Sequence, residues 1–166
     1  MGLVMIVLYL LRRRDKAPLY GGIMALLFAL RVLVTGEYII TGFWPGIPFA
    51  LMIKLEYLTV FAIFPCATAF LTTLFPGMMG RRLKMASLIP SFVFLGLLLV
   101  LPLDLLTRSL FIYYGFAFVN IFIGLATLFR ETVMKGYREG IAVFAGAIFL
   151  AASGVNDVFF SSFVWW

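Results

Sequence analysis

The sequence predicts an all-α fold, a polytopic transmembrane helix bundle with five full spans and a partial first helix. Three observations predict it. The 166-residue chain is 64% hydrophobic and only 12% charged, whereas a soluble domain carries about 25% charged residues. Its apolar residues fall into long runs separated by short connections. Those connections alternate between strongly basic and nearly uncharged, the pattern of a chain that crosses a bilayer repeatedly. A spanning helix is apolar on nearly every face, so run length rather than periodicity sets the elements.

The first run, 2–11, is too short to span, since it covers about 15 Å of a hydrocarbon core about 30 Å thick. It reads as the second half of a longer helix. Full spans are expected at about 18–40, 48–75, 86–106, 110–129 and 140–163. Pro18 and Pro48 suit helix starts, where a missing N–H is harmless. Pro65 and Pro90 lie inside spans and Pro102 near the end of one, and each is expected to kink its helix. The last span carries Ala147, Ala151 and Gly154, a small-residue stripe expected to admit a close helix neighbour.

Orientation follows from the connections. Segments 12–16, 76–85 and 130–139 hold Arg12, Arg13, Arg14, Lys16, Arg81, Arg82, Lys84, Arg130, Lys135 and Arg138, ten of the thirteen basic residues. That side is cytoplasmic by the positive-inside rule, as expected of a multi-pass membrane protein. Trp44, Trp165 and Trp166 then fall at the outer interface, a depth that tryptophan favours. The charged run follows the first apolar stretch instead of preceding it, which argues against a signal peptide. A half-length first helix and an ending at the outer face lead us to expect a fragment or truncated product of a larger protein.

Composition removes several function classes. The chain has no histidine, and its one cysteine, Cys66, sits within an apolar run. No disulfide or thiolate metal site can be built in one chain, and the commonest general base is missing. Ser153, Ser161 and Ser162 have no evident base. No catalytic residue, metal or cofactor is expected, and the chain is not expected to be an enzyme. The formal charge of +6 serves orientation, so no nucleic-acid partner is expected.

Six charges remain in or at the ends of apolar runs: Arg31, Glu37, Lys54, Glu56, Asp104 and Asp157. Each costs about 2.5–3.5 kcal/mol at a helix centre on insertion scales, so each needs a partner, water or a role. At 1.5 Å per residue, Arg31 lies about 20 Å above the cytoplasmic face and Glu56 about 12 Å below the outer one, at one level. An Arg31–Glu56 ion pair is the expected contact. Lys54 is about 200° from Glu56 around the helix and is expected to snorkel to the outer headgroups. Asp104, at the end of span 86–106, and Asp157 share the outer level. Arg31, Glu37, Glu56, Asn156 and Asp157 are therefore the candidate ligand-binding or polar-relay residues of an outward-facing pocket. The plainer alternative is that they are interhelical hydrogen bonds which only fix helix register.

A family resemblance rests on these same residues. In order they are Tyr9…Arg12-Arg13-Arg14, Arg31…Thr35-Gly36-Glu37, Leu55-Glu56-Tyr57-Leu58, Pro65, Leu74-Phe75-Pro76 and Asn156-Asp157. The pattern resembles the seven-helix membrane region of bacterial receptors with diverse intracellular signalling modules, over essentially the whole chain. This chain lacks the start of helix one and all of helix seven of that pattern. The resemblance implies a periplasmic sensory domain before the first helix and a cytoplasmic effector domain after the seventh, such as a kinase, cyclase or phosphatase. Its partners would be those two domains of the same receptor and the lipid bilayer, with a homodimer as one assembly. The expected function is a sensory and relay module that passes an extracytoplasmic signal inward. The alternative is a transporter or ion-pathway subunit using outer-leaflet carboxylates. Against that alternative, no inverted repeat is visible, and the polar residues lie away from the midplane where transporter sites form.

Overall fold

Apolar run length dictates helix almost throughout, and the breaks fall where the backbone chemistry demands them. The computed structural model describes residues 2–11, 15–35, 39–77, 79–134 and 140–163, with side chains described to Thr132 and, in the last stretch, to Asn156. The helices are α1 (Gly2–Leu11), α2 (Ala17–Val34), α3 (Ile39–Phe43), α4 (Phe49–Leu74), α5 (Arg81–Val100), α6 (Leu103–Phe129) and α7 (Gly140–Phe163). A single π-helical turn, Arg130–Met134, extends α6. There is no strand among the described residues.

Among the described residues, four helical stretches are long and apolar enough to cross a membrane: Ala17–Val34, Phe49–Leu74, Arg81–Val100 and Leu103–Thr132. Five full spans were expected, and the difference lies in α7, whose described apolar part, Gly140–Asn156, is shorter. Large apolar side chains cover the outside. Leu99, Phe122 and Phe149 are 81%, 77% and 78% exposed. A water-facing surface does not carry apolar area on that scale, whereas a lipid-facing one does. The chain is a multi-pass membrane protein.

Three expected boundaries move. Span 18–40 ends early, because Thr35 turns extended; its N–H and its hydroxyl still donate to the Arg31 carbonyl and close the last turn. Arg31 therefore occupies the last turn of α2. The expected break at 106–110 falls instead at Leu101-Pro102. Leu101 is extended (ψ 143°), as the residue before a proline prefers, so Pro102 ends α5 rather than kinking it. Asp104 then sits in the first turn of α6, where the helix dipole favours a carboxylate. Finally, α5 begins at Arg81 rather than Ala86, so Arg81, Arg82 and Lys84 belong to its first turn. Pro65 and Pro90 do lie inside helices.

The chain divides into two compact units, Met1–Ser109 and Leu110–Trp166. In the first, α1 packs on α2, α2 on α4 and α4 on α5, a row of antiparallel neighbours. Glycine sets the first contact. A Cβ on Gly22 would lie 2.8 Å from Ile6 Cγ1 and 2.9 Å from the Gly2 carbonyl oxygen, so backbone meets backbone there. Because Gly2 also faces Ala25 and Leu26, α1 lies along only the half of α2 nearest Ala17. The expected close seam at Ala147, Ala151 and Gly154 is not where the tight contact forms. A Cβ on Gly154 would meet nothing within 4 Å.

Two contacts fix the register of α2 on α4. A Cβ on Gly21 would lie 3.2 Å from the Phe70 ring, and Arg31 meets Thr59. Ala17 is thus level with Leu74 at what we call the basic end, beside Lys16 and Arg81. At the far end Val34 is level with about Tyr57. The 26-residue α4 therefore continues past the 18-residue α2 by about two turns, or ~12 Å. Fully buried Phe61 centres the core of this unit, with the Phe94 ring on α5 at 5.5 Å and Tyr57 at 6.3 Å. In the second unit α7 packs on the π-helical turn, and Phe129 meets Phe144 at 5.8 Å. Thr132 is buried there, its hydroxyl donating to the Leu128 carbonyl at 2.8 Å.

Candidate functional site

The polar residues that α4 presents near the far end form a junction between helices. Arg31 is half-buried in the last turn of α2, where the exposed carbonyls favour a cation. Its guanidinium donates through Nη1 to the Thr59 hydroxyl over a long 3.5 Å. Thr59 is fully buried, and its own hydrogen goes to the Glu56 carbonyl at 2.6 Å. One hydroxyl thus accepts from α2 and donates within α4, so the Arg31 charge is tied to the turn that carries Glu56. Arg31 is opposite Thr59, about 4.5 Å below the level of Glu56 along the helix, within reach of a long side chain.

The same turn grips a second helix. Thr107, in the first turns of α6, donates its hydroxyl hydrogen to the Leu103 carbonyl at 3.0 Å. Its oxygen lies 3.1 Å from the Tyr57 hydroxyl, so Tyr57 is the donor of that bond. Tyr57 and Thr59 are two residues apart and point about 200° apart around α4. The turn Glu56–Thr59 therefore holds the end of α2 on one side and the start of α6 on the other. Such a junction positions charge and links helix ends. It offers no nucleophile–base pair, and no group of three acidic, cysteine or histidine side chains able to hold a metal exists among the described residues.

Of the five candidate residues, Arg31 and Glu56 are brought to neighbouring turns of packed helices, and Glu56 is half-buried. Asn156 is exposed on α7, within the second unit. Glu37 and the side chain of Asp157 lie outside the described residues, as do Arg12–Arg14, Lys135, Arg138, Trp165 and Trp166. Lys54 is half-buried, and Asp104 is exposed. Sequence reasoning missed Thr59 and Thr107. Both hydroxyls lack charge, and nothing in a single sequence separates them from the other threonines of these spans. Tyr57 carried a signal, a phenol in an apolar run beside Glu56, because a buried tyrosine hydroxyl usually finds a partner.

The family described as 7TM diverse intracellular signalling matches residues 1–165. Neither a curated protein nor a solved structure gives a significant match.

Proposed function

The chain belongs to the 7TM diverse intracellular signalling family, and from that premise we propose that it is the membrane-embedded sensory and relay module of a bacterial receptor. In this reading the basic end faces the cytoplasm, α7 completes a fifth crossing, and the membrane is the inner one. A signal from an extracytoplasmic domain changes helix packing at the far end, and the bundle passes that change to a cytoplasmic effector domain. The module itself contributes position and charge, and chemistry belongs to the effector. Glu37, Asn156 and Asp157 join Arg31 and Glu56 as the residues whose charge or hydrogen bonding senses the signal.

The observation that carries the reading is the junction at Glu56–Thr59, where one turn of α4 is bonded to α2 through Arg31 and to α6 through Thr107. A ligand-driven displacement of one helix end is thereby felt by the other two. Such a displacement shifts a two-state bundle only if the signal favours one packing over the other. The test is output from a full receptor carrying this membrane region. Thr59→Val preserves shape and removes the hydroxyl, and it should shift basal output several-fold while the protein level stays constant. Asp157→Asn, which removes only the charge, should reduce the response to stimulus. A receptor indifferent to both substitutions would refute the relay.

A further inference from the structure

The hairpin of α4 and α5 is symmetric about its connecting turn. Pro65 stands nine residues before Leu74, the last residue of α4, and Pro90 nine residues after Arg81, the first of α5. The Phe61–Phe94 ring contact, at 5.5 Å, confirms that register across the seam. The two prolines are therefore level with each other, about 13 Å from the basic end. Each removes one i→i−4 backbone bond from its helix, so both neighbours are weakened in a single plane.

The turn before Pro90 carries two further features. Ser91 is fully buried, and its hydroxyl donates back to the Ser87 carbonyl at 3.2 Å. Ser87 is only 4% exposed, and its own hydroxyl has no hydrogen-bond partner. A buried donor left unmade is rare and costly, so any arrangement that satisfies it gains that bond.

We propose that Pro65 and Pro90 form a shared hinge plane across α4 and α5, at which the far-end halves of both helices swing together against their basic-end halves. In this proposal the arrangement with the Ser87 hydroxyl idle is assigned to the less bent of the two states. In the bent state the turn before Pro90 opens, and Ser87 donates to a carbonyl of that turn. The swinging half of α4 carries Tyr57 and Thr59, so the swing moves the junction relative to α2. Sharp helix kinks exceed about 20°, and Phe49 is about 24 Å from Pro65. A swing of that size moves the far end of α4 by about 8 Å.

Electron–electron distance measurements test this in lipid nanodiscs, with paired spin labels in a Cys66→Ala background. Labels at exposed Val32 and Ala50 report the far end, and labels at exposed Lys16 and Leu74 report the basic end. The far-end pair should show two distances up to about 8 Å apart, and the basic-end pair one. P65A/P90A should leave a single far-end distance. Ser87→Ala should at least double the ratio of the straight to the bent population, since only the bent state loses a bond. A single far-end distance in the parent chain, or two that survive P65A/P90A, overturns the hinge. Should the proline variant fail to insert, an unchanged population ratio in Ser87→Ala overturns it. The part this hinge plays in signalling rests on the relay reading, whereas the distances do not, so hinge and relay fail separately.

Discussion

Gly22→Ala should destabilise the first unit measurably, although alanine is the better helix former. The added methyl would lie 2.8 Å from Ile6 Cγ1 and 2.9 Å from the Gly2 carbonyl oxygen, against 3.4 Å for ordinary contact. The isoleucine can turn aside, but the carbonyl is backbone, so α1 must shift by roughly 0.5 Å along its whole contact. Overpacking of this kind costs about 1–3 kcal/mol, or roughly 5- to 150-fold in the folding equilibrium. Replacing a helical glycine by alanine returns up to about 1 kcal/mol in helix propensity, which obscures the clash unless it is cancelled. Gly96 cancels it: it lies within α5 of the same unit, and a Cβ there would meet nothing within 4 Å. The difference between Gly22→Ala and Gly96→Ala therefore reads the clash alone. It should appear as a lower midpoint for Gly22→Ala when helix loss is followed by circular dichroism during titration with a denaturing detergent. Ile6→Ala should relieve only part of the loss, since the Gly2 carbonyl remains. Equal midpoints for the two glycine variants would show that α1 does not pack backbone-to-backbone on α2.

Three further outcomes are expected from the geometry. Cysteines placed singly at Gly80 and Gly42 in a Cys66→Ala background should label from opposite sides of the membrane, with Gly80 inaccessible from outside intact cells; the reverse would invert the orientation. Removing Arg31 or Glu56 alone should destabilise more than removing both, because a lone charge is left in a low-dielectric site; a double-mutant cycle without coupling would deny the pairing. Tyr57→Phe should weaken the first unit by about 0.6 kcal/mol, the usual worth of an interhelical hydrogen bond in membranes, and a double-mutant cycle with Thr107→Val should return a coupling of about that size, the separate loss of the Thr107–Leu103 bond cancelling in the cycle; no coupling would deny the bond.

Run length was enough to reveal the helices, because in lipid every backbone group must be bonded within its own segment. The short first helix, ten residues long, was equally plain. Helix ends were less so. α2 stops where Thr35 turns extended (ψ 155°), and nothing in the apolar run 18–40 announces that change of backbone. Pro102 was visible, but whether a proline kinks or stops a helix depends on the backbone at its neighbours, and here a new helix starts at once. The matched depth of Arg31 and Glu56 emerged from counting residues, since helix rise is constant. Which hydroxyl mediates between them did not, because that depends on rotation about the helix axis as well as height. The close α1–α2 contact had a signal in Gly21-Gly22-…-Ala25, small residues on one face. The similar stripe in the last span drew attention instead, yet Gly154 faces open space.

The unequal lengths of α2 and α4 set a condition on the bilayer itself. At 18 and 26 residues they measure about 27 and 39 Å, against a hydrocarbon slab of about 30 Å. Tilt cannot reconcile them, because packed neighbours tilt together and any lean that fits α4 makes α2 too short. A membrane matched to α2 leaves the first two turns of α4, with Lys54 and Glu56, among the headgroups. A thicker one draws those turns and the Arg31 end of α2 into hydrocarbon, at a fraction of a kcal/mol per ångström of hydrophobic mismatch. The environment of the charged junction is thus set partly by lipid chain length, and thickness is a variable that any reconstitution of this protein has to hold fixed.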